Sequence, residues 1–179
     1  MKRIFQLACF CTIGAMLSAC GVTTPFLKGH YETTNSIITT THYDQGWSNV
    51  IDFFAEHNIP IGTLSKESGL ITANNVAINE SSVSYEDKNG QIVNPQAWFV
   101  LPYIKGVVGG RVTCSFNVRV KKVDEHKTSI QINLSNPIGY YNLEYLNTLT
   151  FKKEIIYNTV PRTCQSTGNF ESLLLALFK

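Results

Sequence analysis

Between residues 110 and 134 the chain alternates apolar and polar residues, broken once by a charged turn. In "GRVTCSFNVRVKKV", Val112, Cys114, Phe116, Val118 and Val120 share one face; in "TSIQINLS", Ile130, Ile132 and Leu134 do the same. Successive strand side chains point to opposite faces, so this period of two specifies a β-hairpin with one buried face. "DEHK" supplies its turn. A sheet that is wet on one side needs a second layer over the other.

Two amphipathic helices are placed to supply that layer. Asp44 can cap the first, in which Trp47, Val50, Ile51, Phe54 and Ala55 recur at helical spacing. Pro60 ends it by pushing its predecessor out of helical geometry. A Trp/Phe stripe suits either a binding groove or a core, and at this spacing core packing is expected. The second helix closes the chain. Ser166 or Thr167 can cap it, Glu171 suits its first turn, and Phe170, Leu173, Leu174 and Leu177 form its stripe. The expected fold class is therefore α+β, an antiparallel sheet packed against an N-terminal and a C-terminal amphipathic helix.

The remaining segments are less constrained. "IITTTHY" reads as a short strand, and "IGTLSKESGLITANNVAI" as two extended segments meeting at Gly69. Residues 79–97 are mostly polar, with a turn at Asn89-Gly90. "WFVLPYI" is densely apolar, and Pro102 confines it to an edge strand or an irregular piece, exposed or, as expected, buried. Residues 137–160 fit a helical turn, a strand or a long excursion.

The N-terminus carries a different kind of information. Lys2 and Arg3 precede an apolar run from Ile4 to Leu17, shorter than the roughly 20 residues a membrane-spanning helix needs. Positive start and short apolar core mark a secretory signal peptide. Its end, Leu17-Ser18-Ala19-Cys20, matches the bacterial lipobox, in which the cysteine sulfur is lipidated and the leader is cut before it. The alternative is an ordinary signal peptide with a chance cysteine. Gly21 stands where aspartate would signal inner-membrane retention, which favours the outer membrane, lipid-anchored and facing the periplasm. Residues 1–19 are thus read as signal peptide, 20–36 as a flexible tether, and 37–179 as one α+β domain.

Composition narrows the function classes. The leader takes two of the 15 basic residues, leaving 13 against 13 acidic ones. Such a neutral balance gives no electrostatic case for nucleic acid or a polybasic membrane patch. Cys9 and Cys11 leave with the leader and Cys20 carries lipid, so Cys114 and Cys164 remain. An even pair in an oxidising compartment predicts a disulfide; a redox or metal pair would want CxxC spacing or a partnered histidine. His30, His42, His57 and His126 lack metal-ligand spacing, and no nucleophile elbow, phosphate loop or dinucleotide fingerprint occurs. No catalytic residue, metal or cofactor is expected.

The order of elements resembles small periplasmic lipoproteins with a BamC-like helix-grip domain. A helix precedes an I-x-x-x-x-K-x-x-G-x-I pair on Ile61, Lys66, Gly69 and Ile71. A hairpin follows, and "C-x-S-T-G-x-[LF]-E" falls on Cys164, Ser166, Thr167, Gly168, Phe170 and Glu171. The resemblance covers residues 40–179, with 80–105 and 137–160 unmatched, and it implies fold and compartment rather than chemistry. The function expected is non-enzymatic: a binding or scaffolding module held at the membrane by its N-terminal lipid, with an envelope protein as partner. The alternative is an inhibitor or binder of a soluble target such as a cell-wall hydrolase, with loops 79–97 and 135–147 carrying the contacts.

Overall fold

The computed structural model describes residues 25–179; Cys20 and residues 1–19, expected to be a signal peptide, lie outside them. Along the chain run β1 (Ser36–Thr39), α1 (Tyr43–Glu56), β2 (Thr63–Ser65), β3 (Leu70–Ile78), a 3-10 turn (Glu80–Ser82), β4 (Val83–Tyr85) and β5 (Phe99–Leu101). Then follow β6 (Val107–Lys122), β7 (Thr128–Asn147), β8 (Lys152–Tyr157), β9 (Arg162–Thr163), β10 (Gln165–Ser166) and α2 (Asn169–Ala176). The main sheet has the order β1-β7-β6-β3-β2, with β8 and β9 also paired to β7. A small second sheet orders β10-β5-β4, in which β4 and β5 are parallel.

The expected α+β class is corrected by this inventory. Of the described residues 45% are strand and 16% helical, so the protein is mostly β. Its described N-terminal part is an extended segment and β1, not a helix. The additional strand comes mainly from residues without clean alternation. β7 runs on through Pro137 for 20 residues because β6, β8 and β9 offer it hydrogen-bonding partners. Asn136-Pro137 reads as a turn locally. Here Asn136 takes a positive φ of 51° and the pair forms a bulge, which tolerates the missing proline N–H.

A second bulge sits at the same level. β3 shifts register between Ala73, opposite Phe116, and Val76, opposite Cys114, and Asn75 at φ 50° donates its N–H to Ser115 Oγ at 3.1 Å. Both neighbours of β6 therefore carry a bulge beside Cys114-Ser115. Bulges sharpen bend and twist. They curl the sheet over one layer of helix, where Trp47, Val50, Phe53 and Phe54 of α1 meet Ile71, Phe116, Val118, Val120 and Ile130.

Both helices differ in detail from the expected pattern. Asp44 is in the first turn of α1, and His42 is the cap, without a side-chain cap bond. Phe53 is buried in place of Ala55. In α2 the cap is Gly168 at φ 87°, and Leu174 and Leu175 are buried while Leu173 and Leu177 face outward. The rotation follows from Glu171, which is drawn inward to accept a hydrogen bond from Ser166 Oγ at 2.8 Å.

The middle of "WFVLPYI" is interior: Phe99, Val100 and Leu101 have no solvent exposure, while Tyr103 is exposed and Trp98 and Ile104 are half-buried. Leu101 seats into a notch made by glycines of adjacent long strands, where a Cβ on Gly110 or Gly139 would collide with its methyl groups. That contact ties the small sheet to the hairpin.

Candidate docking surface

The sequence-predicted chemical residues are not gathered into one site. Cys114, on β6, and Cys164, just after β9, are both buried. The expected disulfide between them is absent: both are free thiols. Cys114 Sγ faces the Ser135 carbonyl at 3.4 Å, while Cys164 backs onto Gly139. Burial pushes each thiol up to about 12, so neither supplies a thiolate at neutral pH. The histidines are scattered. His30 is 3.9 Å from Glu32, the His42 and His126 rings meet edge-on, and His57 packs on Phe53 and Trp98. Among the described residues no three His, Cys, Asp or Glu side chains cluster as metal ligands.

Two buried carboxyls have structural work. Burial raises the pKa of Glu171, and Ser166 both donates to it and accepts from Gly168 N at 3.1 Å, fixing the start of α2. Glu86, fully buried at the end of β4, accepts from the backbone N–H of Lys28 (2.9 Å) and Gly29 (2.7 Å) and from Tyr31 Oη (3.0 Å). Burial and that carboxylate push the Tyr31 phenol well above its ordinary range. Asn35 then accepts from Ile132 N at 2.8 Å. The segment read as tether is thus laid along the domain from Lys28 onward.

The surface offers two features instead. The first is an open groove of about 760 Å³ between the ends of α1 and β3 and the middle of the long hairpin. Its walls include His57, Asn79, Glu80, Arg111, Tyr140 and Thr159. The Arg111 guanidinium stands 6.0 Å from the Tyr140 ring centroid and 5.3 Å from that of Tyr157. Its Nε is buried without a hydrogen-bond partner, and among the described residues no carboxylate pairs with it. Aromatic faces hold the cation but do not neutralise it.

The second feature is an arm. β6 leaves β7 at the Val107–Leu143 pair, and β7 continues with β8 alone to the Asn147–Lys152 pair. Its shaft is self-satisfied: Tyr145 Oη donates to Glu154 at 2.6 Å, Asn147 Nδ2 to the same carboxylate at 2.8 Å, and Lys153 pairs with Glu144 at 2.8 Å. Its tip is apolar and open, with Leu149 and Phe151 exposed at 90% and 81%. The tip is nonetheless ordered, because Asn147 Oδ1 accepts from Leu149 N at 3.0 Å and Asn147 O from Phe151 N at 2.7 Å.

Arg111, Tyr140, Tyr157, Leu149 and Phe151 are functional candidates that the sequence reading did not single out. The available signal was the density of tyrosine and leucine within 138–157, in a segment whose strand character was open. No protein-family model, curated protein or solved structure matches this chain.

Proposed function

We propose that the protein is a lipid-anchored module of the bacterial envelope, held at the periplasmic face of the outer membrane through Cys20, that binds a protein partner and does not catalyse. The observation that carries the binding role is the Arg111 groove. Arginine and tyrosine are residue types enriched at protein–protein hot spots, and here Arg111 and Tyr140 line one concavity, with the Tyr157 ring beside Arg111. A partner segment presenting a carboxylate would give Arg111 the acceptor it lacks and cover the Tyr140 and Tyr157 rings. The lipobox supports the compartment.

The test is co-purification after gentle detergent extraction. Wild type should retain an envelope protein that Arg111→Ala and Tyr140→Ala lose while keeping native circular dichroism. Retention of the same partner by both variants would remove the groove from the function. A partner that follows Cys20→Ala protein into the soluble fraction would identify a binder of a soluble target instead.

A further inference from the structure

The arm is remote from the groove's floor, and its tip calls for a different occupant. We propose that the β7–β8 arm is a second membrane contact, its tip entering the bilayer leaflet that holds the N-terminal lipid. This inference rests on the lipoprotein reading of Cys20.

Three observations point to a lipid surface. The first is position. Glu86, which clasps Lys28 and Gly29, donates its own N–H to the Leu101 carbonyl, and the next carbonyl, Pro102, accepts from Tyr141 Oη at 2.7 Å. A few residues on, Gly106 O accepts from Glu144 N at the root of the arm. The N-terminal segment therefore enters the domain at the end of β5 from which the chain runs on to that root. It then runs away from it, past Gln165 and Ile132, to Thr39 opposite Thr128 at the far end of β7.

The second is reach. From Pro25 back to Cys20 the chain spans at most about 17 Å, at roughly 3.4 Å per residue. From Leu143 to the tip the arm projects about the same distance, at roughly 3.4 Å per strand residue. A lipid on Cys20 thus holds Pro25, where the described chain begins, no farther from the membrane than the arm is long. Phe26, 72% exposed, lies on the same path.

The third is chemistry. Leu146, Leu149 and Phe151 sit at the end of a thin two-stranded arm whose shaft charges pair with each other. A protein hot spot works when surrounding contacts exclude water. An isolated tip has no such surround, whereas a bilayer encloses it from every side. Lys152, which is in none of the described ion pairs, follows the tip directly and places an ammonium group where it would meet lipid phosphates.

The test uses the full lipidated chain reconstituted in phosphatidylethanolamine/phosphatidylglycerol vesicles, carrying an environment-sensitive fluorophore on Leu149→Cys. A control carries it on Glu125→Cys, in the turn at the opposite end. Mass spectrometry at Cys20 and vesicle flotation are read on the same samples. Emission from position 149 should shift to the blue and be quenched by spin-labelled lipid, while position 125 stays water-like and unquenched. A water-like, unquenched probe at 149 in acylated, floating protein overturns the arm proposal alone. A blue shift without lipid quenching, appearing only with a co-purified protein, assigns the tip to that protein and overturns it as well. An unmodified Cys20 with no flotation overturns the lipoprotein reading and this inference with it.

Discussion

Gly69 shows how one residue can carry a turn. It joins β2 to β3 at φ 66°, and a Cβ there would strike the Val120 carbonyl oxygen, while Gly69 O accepts from Val120 N at 2.8 Å. Gly69→Ala should cost roughly 1–3 kcal/mol from backbone conformation alone, and more from the collision. Urea unfolding checks it; an unchanged midpoint would mean the turn rebuilds. Glu171 makes a prediction of opposite kind. Burial raises its pKa above 4.5, so the folded state holds this proton more tightly than the unfolded state. The stabilisation is complete below the unfolded value and is lost as pH rises through the folded one. Glu171→Gln stays neutral and can still accept from Ser166. Its urea midpoints should therefore fall less than those of wild type as pH rises from about 4.5, the ordinary value, towards neutrality. Parallel profiles would show that Glu171 is not the group responsible.

At the scale of elements, the Leu101 notch decides how the small sheet meets the hairpin. Leu101→Ala removes a fully buried side chain and should cost about 2–5 kcal/mol. Gly139→Ala overfills the notch and should cost about 1–3 kcal/mol. The added methyl occupies space that the smaller residue vacates, so the double variant should be more stable than the sum of the single effects predicts. Strict additivity in chemical denaturation would mean the two residues do not share this contact. The elements also show what was legible. The β6–β7 core face, Val112 to Val120 and Ile130 to Leu134, was readable because alternation is a local property. The rest of β7 was not, because Asn136-Pro137 reads as a turn unless the neighbouring strands are known. The Arg111 groove and the apolar tip were hidden for the same reason: both depend on how far β7 extends.

At the scale of the whole molecule, the cysteines test whether compartment or packing has the last word. Both thiols are buried and pushed up to about 12, so a thiol reagent should leave native protein unlabelled. After denaturation without reductant both should label. A pair that stays blocked would restore the bond that an oxidising compartment predicts. The N-terminal segment is likewise a matter of the whole. Its polar residues look like a linker, yet the Glu86 carboxylate supplies an acceptor for its backbone N–H groups and orders it along the domain.

The sequence by itself determined what depends on near neighbours: the turn at Gly69, the alternating faces of the hairpin and the places of the two helices. Tertiary structure decided the balance of strand over helix, the inward rotation of Glu171, the docking of residues 28–35 and the separation of groove from arm. The physical reason is shared. Alternation and capping arise between residues a few positions apart, whereas bulges, notches and buried carboxyls take their meaning from partners that only the folded chain brings within a few ångströms.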